Sequence, residues 1–274
     1  MKEICAICPR GCALEAGQMG FCRARANVDG KITAINYGRV TALALDPVEK
    51  KPLKRFRPGS SILSTGSFGC NLRCAFCQNS DISMAGEGAR SAGVSKEQLV
   101  DIALREKARG NIGIAYTYNE PLVGYEYVCD CAVLAREAGL VNVLVTNGTV
   151  CEAPLLALLP HIDAMNIDLK TFSEEKYKEL SGFFDTVKRT IELGAARCHV
   201  EVTTLIIPGW NDGEADMEEE AAWLASLDPE IPLHISRFFP CYHMHGRAPT
   251  PISTIYRLRD IAKKHLRYVY TGNC

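Results

Sequence analysis

The sequence predicts an α/β fold: a partial (β/α)6 barrel of the TIM type, preceded by a small cysteine-rich cap. From residue 60 onward, short apolar runs typical of strands alternate with amphipathic stretches typical of helices. Six such units in series imply parallel strands joined by right-handed crossovers. The polar motifs fall almost entirely at the carboxyl ends of the strands, where barrel enzymes build their sites. This third observation favours the barrel over a doubly wound open sheet, which fits the same order of elements almost as well.

The elements are assigned in chain order. Two strand-like stretches at 32–37 and 40–45 predict a short hairpin or paired strands. A Pro- and Lys-rich connection at 46–59 places the domain boundary, so we predict a cap with its linker at 1–58 and a core at 59–274. Barrel strands are predicted at 62–68, 112–118, 142–146, 164–169, 199–207 and 233–239. Helices are predicted to start near Ser95, Pro121, Glu152, Ser173 and Glu214, with a last helix behind Pro251 and a final strand-like stretch at 268–270.

The composition excludes several classes of function. The 274 residues carry a formal net charge of −1, so the chain has no electrostatic footprint for nucleic acid or an anionic membrane. No signal-like segment and no apolar run long enough for a membrane span is present, and we expect a cytoplasmic protein. The thirteen cysteines would suggest disulfides in a secreted protein, but in a reducing compartment they indicate metal binding or catalysis.

Seven of the thirteen cysteines fall in two tight groups, and the more informative group is the C-x3-C-x2-C run of Cys70, Cys74 and Cys77. Three thiols do not complete a tetrahedral zinc site or a fully protected 4Fe–4S cluster, since each needs four ligands. A cluster held by three cysteines leaves one iron open to a substrate. The alternative is a zinc knuckle that takes a fourth cysteine from elsewhere in the chain.

This spacing, with Phe76 just before the third cysteine, resembles the signature of the radical S-adenosylmethionine (radical SAM) superfamily. The resemblance implies that SAM chelates the open iron of a 4Fe–4S cluster and is cleaved reductively to a 5′-deoxyadenosyl radical, which abstracts hydrogen. In such chemistry the cofactors carry the hard step, while the protein orients them and excludes side reactions. The resemblance also implies Phe76 among the cofactor-binding residues, and a ferredoxin or flavodoxin as electron donor.

Polar residues at the next two strand ends are candidates for binding SAM. Asn119 and Glu120 lie at a strand-to-helix corner, where an amide or carboxylate can accept from the ammonium of SAM; the alternative for Asn119 is a plain helix cap. Asn147 lies in an Asn-Gly turn, and the glycine permits close approach of the backbone to a ligand.

Two further strand ends add charged and basic groups. Alternation places Asp168 and Lys170 on one face of the fourth strand. The functional interpretation is that Lys170 holds the SAM carboxylate and Asp168 its amino group or ribose; the alternative is that the two only pair with each other. After the sixth strand, His243 is predicted near SAM or substrate, in preference to a metal site made with Cys241 and His245.

Taken together, these residues closely resemble the pyruvate formate-lyase activating enzymes of the superfamily over 60–274. In that family the Asp and Lys of the fourth-strand motif contact SAM, as does a His after the sixth-strand proline. Three features depart from the family: its Gly-Gly-Glu turn is a Tyr-Asn-Glu turn here, the aspartate of its monovalent-cation site is Val145, and one extra residue separates Pro240 from His243. The resemblance therefore implies SAM cleavage in this protein more strongly than it implies the family's cation site or its protein substrate.

The N-terminal group, Cys5, Cys8, Cys12 and Cys22, offers four thiols within 18 residues, enough to close a tetrahedral site. We predict one metal centre here, either zinc or a second 4Fe–4S cluster, because four thiolates suit both. Free reduced thiols are the alternative. This segment lacks the apolar periodicity to fold alone, so a metal would stand in for a core.

The same four cysteines, with the Asp-Pro-Val-Glu-Lys-Lys-Pro-Leu segment at 46–53, are similar to the AmmeMemoRadiSam system radical SAM enzymes over the whole chain. This narrower resemblance implies partnership with the Memo-like and AMMECR-like proteins of that system. Members usually continue further, so Cys274 is expected to mark a truncation or a shorter variant.

The predicted function is therefore that of a radical SAM enzyme with an unidentified substrate. The hydrogen comes either from a glycine on a partner protein or from a small molecule. The rival class is a non-catalytic iron–sulfur protein for electron transfer or redox sensing. That class explains the cysteines but not the polar residues at the strand ends.

Overall fold

The computed structural model describes residues 2–274, which form one eight-stranded sheet and three two-stranded sheets. The strands are β1 (Glu3–Ile4), β2 (Ala13–Leu14), β3 (Arg25–Val28), β4 (Lys31–Ala34), β5 (Arg39–Val40), β6 (Ala42–Pro47), β7 (Ser61–Gly66), β8 (Ala92–Gly93), β9 (Asn111–Tyr116), β10 (Val141–Thr146), β11 (Ala164–Asp168), β12 (His199–Ile206), β13 (Leu233–Arg237) and β14 (Val269–Gly272). The helices are α1 (Ser80–Ser83), α2 (Lys96–Arg105), α3 (Tyr125–Glu137), α4 (Glu152–Leu158), α5 (Glu174–Glu179), α6 (Phe184–Ala195), α7 (Glu214–Leu227) and α8 (Ile252–Ala262). Short 3₁₀ turns occupy Val48–Lys50, Glu106–Arg109, Pro121–Gly124, Leu159–His161 and Tyr242–Met244.

The large sheet carries the barrel. Its order is β14-β13-β12-β11-β10-β9-β7-β6, and neighbouring strands are parallel except for β6 and β7, which are antiparallel. Parallel strands in chain order, with a helix in every crossover, confirm the predicted α/β fold and partial barrel. Within residues 2–274 the end strands β14 and β6 do not pair with each other, so the barrel is not closed.

Both faces of the parallel strands are covered. Ile114 and Tyr116 of β9 are buried under the helices, whereas Ala115 between them faces the barrel interior. Strands buried on both faces are apolar nearly throughout, and such runs are easy to find in a sequence. The six predicted strands accordingly match the observed ones to within two residues at each end.

The segment after β6 closes the amino-terminal end of the barrel. Val48 and Leu53 are fully buried against Ile62 and Val143 of the barrel interior. Nδ2 of Asn166 on β11 donates to the carbonyl of the residue before Leu53 at 2.9 Å. The composition of this segment is typical of a linker, and its few apolar residues follow no helix or strand period. Its packing was therefore not predicted, and the domain boundary at 58 stays a prediction.

The predicted pairing of 32–37 with 40–45 is wrong. β4 instead forms a hairpin with β3, β5 pairs with β8, and β6 pairs with β7. The β3–β4 turn is Asp29-Gly30, with φ of 51° and 81°. An Asp-Gly pair with positive φ at both positions is the strongest short-range hairpin signal, and it outweighs the apolar content of the following residues.

The helices begin close to the predicted positions. Ser95 caps α2 and forms a capping box with Gln98. The helix predicted at Pro121 opens with a 3₁₀ turn, so α3 starts at Tyr125, and the segment after Ser173 is divided into α5 and α6. In residues 2–274, every helix is too short or too polar to cross a membrane.

One buried carboxyl group should make the stability depend on pH. Glu220 of α7 is 2% exposed, accepts a hydrogen bond from Thr204 and has its pKa raised by burial to about 8. Since the folded-state pKa lies above the ordinary value of 4.5, the protonated form stabilises the fold below pH 4.5, and this contribution is lost as the pH rises towards about 8.

The loss of stability between pH 4.5 and about 8 should have a slope of up to about 1.4 kcal/mol per pH unit. We expect Glu220→Gln to remove this pH dependence, because glutamine does not ionise. Urea unfolding across the window measures it, with the exposed neighbour Glu219→Gln as the matched control. Parallel pH profiles for wild type and Glu220→Gln would contradict the assignment.

Candidate active site

A cavity of about 250 Å³ opens at the carboxyl ends of the barrel strands. The loop after β7 forms one side, and residues at the ends of β9 to β14 form the rest. Parallel strands bring their carboxyl ends to one rim, which is why these separate segments meet. The wall includes Cys70, Cys74, Phe76, Cys77, Tyr118, Asn119, Glu120, Asn147, Asp168, Lys170, Thr203, Ser236 and Asn273.

The three cysteines of the C-x3-C-x2-C run reach this cavity together and form no disulfide. Burial raises the pKa of Cys74 to about 12 and that of Cys70 further still. A metal that binds here must therefore displace protons from the thiols. In residues 2–274, no three Cys, His, Asp or Glu side chains are gathered as ligands of a single ion. Cysteines of an iron–sulfur cluster each bind a different iron, and three soft thiolates on one cavity wall suit that kind of centre.

Asn119 fastens the start of the cysteine loop to β9. Its Oδ1 accepts from the backbone N–H of Ser67 at 2.9 Å, and its Nδ2 donates to the carbonyl of Gly69 at 3.0 Å. Both ends of the amide are thus engaged with the loop. This contact makes Asn119 a positioning residue, and its binding of SAM stays a prediction.

Glu120 connects β9 to the end of β10. Its carboxylate accepts from Oγ1 of Thr146 and the N–H of Asn147, both at 2.8 Å, and from the N–H of Leu122 at 3.0 Å. Burial raises the pKa of Glu120 to about 7, although hydrogen bonds from Asn147 and Leu122 act to lower it. The hydrogen bond from the N–H of Leu122 caps the 3₁₀ turn. The capping residue is therefore Glu120, and not Asn119, which was the alternative considered for this corner.

Asn147 lies against the first cysteine of the loop. Its Nδ2 donates to Oδ1 of Asn71 at 2.9 Å and lies 3.6 Å from Sγ of Cys70. Its Oδ1 accepts from the N–H of Thr149 at 2.8 Å, which holds the turn after β10. The side chain of Asn147 therefore lies beside the cysteine loop, and its binding of SAM stays a prediction.

Asp168 and Lys170 meet at the end of β11. Nζ of Lys170 lies 2.8 Å from Oδ2 of Asp168, and both side chains face the cavity. Burial acts to lower the pKa of Lys170, but the Asp168 carboxylate and the nearby Cys74 raise it above its ordinary value. The lysine is therefore a permanent cation at the cavity wall. The two residues do pair with each other, as the alternative expected, and they also remain available to a ligand.

Phe76 and His243 lie in different surroundings. Phe76 is 4% exposed, lines the cavity and packs against Trp210 with ring centroids 5.5 Å apart. His243 is exposed on the 3₁₀ turn after β13, where its ring lies 3.7 Å from that of Tyr242. Its backbone N–H donates to Ala75 of the cysteine loop, but its imidazole is not part of the cavity wall. The turn thus joins the main chain of His243 to the cysteine loop, and a role of its imidazole near SAM or substrate stays a prediction.

A polar group beneath the cavity was missed by the sequence analysis. The hydroxyl of Tyr118 donates to Oδ2 of Asp46 at 3.0 Å, and Nζ of buried Lys51 donates to the same oxygen at 2.9 Å. Tyr118 adopts a φ of 73°, which is rare for a tyrosine. No local signal marks this group, because Asp46 near the end of β6 and Lys51 in the segment after β6 are brought to Tyr118 only by tertiary packing.

The N-terminal cysteines also come together. Cys5, Cys8, Cys12 and Cys22 line one small cavity between the cap and the cysteine loop, and none forms a disulfide. Burial raises the pKa of Cys8 to about 11 and raises that of Cys22. The four thiols share this one cavity, and a metal centre there stays a prediction.

Residues 65–221 match the Radical SAM superfamily. This stretch is more than half of the chain and contains the cysteine loop and the strand ends up to β12. The chain belongs to the radical SAM superfamily.

Individual relatives agree with this assignment. The chain is 41% identical to an uncharacterized protein of Methanocaldococcus jannaschii over 99% of its own length and 81% of that protein. It is 28% identical to a pyruvate formate-lyase-activating enzyme of Clostridium pasteurianum, over 70% of this chain and 80% of the relative. The structure resembles that of a radical SAM methyltransferase from Sphaerobacter thermophilus with a TM-score of 0.60 and 18% identity, covering 79% of this chain and 67% of that one.

Membership of the superfamily confirms the resemblance to radical SAM enzymes, with relatives among the pyruvate formate-lyase activating enzymes. It implies a 4Fe–4S cluster and SAM. The residues present fit the cluster and SAM. Three cysteines without a disulfide and the Asp168–Lys170 ion pair face the same cavity of about 250 Å³. The narrower resemblance to the AmmeMemoRadiSam enzymes stays a prediction.

Proposed function

We propose that this radical SAM enzyme holds its 4Fe–4S cluster through Cys70, Cys74 and Cys77 and abstracts hydrogen from a substrate bound above the strand ends. The observation that carries the proposal is that the three thiols share one cavity with the Asp168–Lys170 pair. When bound, the cluster would supply the electron that divides SAM into methionine and a 5′-deoxyadenosyl radical.

The residues of the cavity have distinct tasks in this proposal. Lys170 presents a cation for the SAM carboxylate, and Asp168, which is one-third exposed, presents an acceptor for the amino group or ribose. Glu120 holds the ends of β9 and β10 together beside this position. Phe76 supplies an apolar surface that limits water on the cysteine side.

We expect Lys170→Ala to weaken SAM binding roughly ten- to a hundredfold, because a charge-assisted hydrogen bond worth about 1.5–3 kcal/mol is lost. Equilibrium dialysis of SAM against anaerobic, cluster-loaded protein measures the effect. Lys176→Ala is the matched control, since Lys176 makes a similar ion pair, 2.6 Å from Asp216, outside the cavity. Unchanged SAM affinity in Lys170→Ala with full iron content would leave Lys170 as the ion-pair partner of Asp168 only.

The function itself is tested by incubating anaerobic, chemically reduced protein with SAM. The proposal expects 5′-deoxyadenosine and methionine as products. A fully loaded cluster without either product would favour the rival class, an electron-transfer or redox-sensing protein. That class would not explain why the Asp168–Lys170 pair lies beside the thiols.

The substrate is proposed to be either a glycine on a partner protein or a small molecule. Beyond the cysteine loop, the wall carries the uncharged polar residues Thr203, Ser236 and Asn273, which suit a neutral polar group. Mass spectrometry of candidate substrates after anaerobic incubation discriminates the two classes.

The proposal includes partners and a second metal. We infer a ferredoxin- or flavodoxin-type electron donor, Memo-like and AMMECR-like partners and a cytoplasmic location. Zinc or a second 4Fe–4S cluster is proposed at Cys5, Cys8, Cys12 and Cys22, which share one cavity.

A further inference from the structure

The two groups of cysteines are direct neighbours in space. The backbone N–H of Cys70, in the cysteine loop, donates to the carbonyl of Cys22, in the cap, at 3.2 Å. Gly69 permits this approach: it has a φ of 91°, and a Cβ there would lie 2.5 Å from the oxygen of Cys22. One residue of each group is thus joined to the other by a single hydrogen bond.

We propose that Cys5, Cys8, Cys12 and Cys22 hold a redox-active 4Fe–4S cluster and that this cluster delivers electrons to the three-cysteine site. The inference rests on the proposed function, since it assigns an electron-accepting cluster to Cys70, Cys74 and Cys77. It decides between the two metals left open for the cap: zinc has no redox chemistry and could not take this part.

A second chain of contacts joins the two groups. The side chain of Asn71 lines the cavity of the N-terminal cysteines. Its Oδ1 accepts from Asn147, whose Nδ2 lies 3.6 Å from Sγ of Cys70. Two asparagines in contact with each other therefore lie between the cavity of the N-terminal thiols and Cys70.

The four cysteines are graded from the surface inward. Cys8 and Cys12 are partly exposed, whereas Cys5 and Cys22 are buried, and Cys22 is the one bonded to the cysteine loop. An electron carrier can therefore approach the outer pair while the inner pair faces the active site. Reductive cleavage of SAM needs electrons to move in this direction, from a carrier at the surface to the active-site cluster.

The surroundings also suit an anionic cluster. Arg25 is 4% exposed and lines the cavity of the N-terminal cysteines, and its guanidinium is held 2.6 Å from the carboxylate of Glu126. Hydrogen bonds to the ligand sulfurs and burial are the factors by which a protein sets the reduction potential of such a cluster. Arg25 acts here as a positioning residue for the cap.

The proposed transfer balances at one electron for each SAM cleaved. A reduced ferredoxin or flavodoxin gives up one electron and reduces the N-terminal cluster. That cluster is reoxidised when the electron leaves through the Cys22–Cys70 contact. The electron is consumed in breaking the carbon–sulfur bond of SAM, so each cleavage draws one electron from the carrier.

The test compares two reductants in the double variant Cys8→Ser/Cys12→Ser, with Cys129→Ser on α3 as the matched control. We expect about eight irons per chain in the wild type and control and about four in the double variant. With dithionite, which reduces the active-site cluster directly, the double variant should form more 5′-deoxyadenosine per active-site cluster than it does with reduced flavodoxin. With reduced flavodoxin it should lose that activity, while the control keeps it.

The wild-type protein supplies a measurement that does not depend on folding of a variant. Electron paramagnetic resonance of the reduced wild type should show two clusters whose signals broaden each other, because their ligands are in contact. About four irons with one zinc, a single cluster signal, or equal use of both reductants by the double variant would overturn the inference. Wild type that yields no 5′-deoxyadenosine with dithionite would instead defeat the proposed function, and the iron count and spectra would still judge the second cluster.

Discussion

Cys74→Ala should abolish formation of 5′-deoxyadenosine from SAM and remove about four irons per chain. The reason is that only three cysteines of the loop face the cavity, so a cluster there has no spare protein ligand. Cys70→Ala and Cys77→Ala should behave alike. Iron analysis and product chromatography under anaerobic conditions measure both effects.

Cys129→Ala is the control for this series, because Cys129 is a half-buried cysteine of α3 that lies outside both groups. It should keep its irons and its activity. If any single variant of the loop cysteines still makes 5′-deoxyadenosine, the three-cysteine assignment is wrong.

The second large effect concerns Glu201, which holds the amino-terminal end of the barrel together. This residue of β12 is fully buried, and each carboxylate oxygen accepts two hydrogen bonds. Oε1 lies 2.9 Å from Nε2 of His199 and 2.7 Å from the N–H of Arg55, and Oε2 lies 2.6 Å from Nε2 of His234 and 3.0 Å from the N–H of Lys54. Burial acts to raise the pKa of Glu201, but these bonds lower it to about 2.

Glu201→Gln should lower the free energy of unfolding by about 3–5 kcal/mol. The amide of glutamine has only one oxygen, so its NH₂ group would face buried donors that the second carboxylate oxygen now accepts from. The folded-state pKa lies below the ordinary 4.5, so ionised Glu201 stabilises the fold above pH 4.5, and this contribution is lost as the pH falls towards about 2. The stability gap between wild type and variant should therefore narrow in acid. Urea unfolding at several pH values measures it.

Glu230→Gln is the matched control, since Glu230 pairs with Arg267 at the surface and should contribute little. A Glu201→Gln variant as stable as this control would show that the residues around Lys54 and Arg55 do not depend on the carboxylate.

The barrel strands and the motifs at their ends were predictable from local sequence. A buried parallel strand is an apolar run followed by a turn, so its position does not depend on its partners. Because all carboxyl ends of parallel strands meet at one rim, Asp168, Lys170, Asn147 and the cysteine loop could be placed together before any coordinates. The direction of the His243 side chain was not predictable, because on a short turn it is set by the packing of that turn.

The sequence by itself determined the superfamily, the parallel order of the strands and the rim that carries the chemistry, since these follow from periodicity and from ligand spacing within short segments. Only the tertiary structure decided that the segment around Leu53 plugs the barrel, that Asp46 and Lys51 lie beneath the cavity, and that Cys22 touches Cys70. These contacts join residues far apart in the chain. Their energy comes from burial and from hydrogen bonds that exist only once the sheet has assembled, and no local pattern records them.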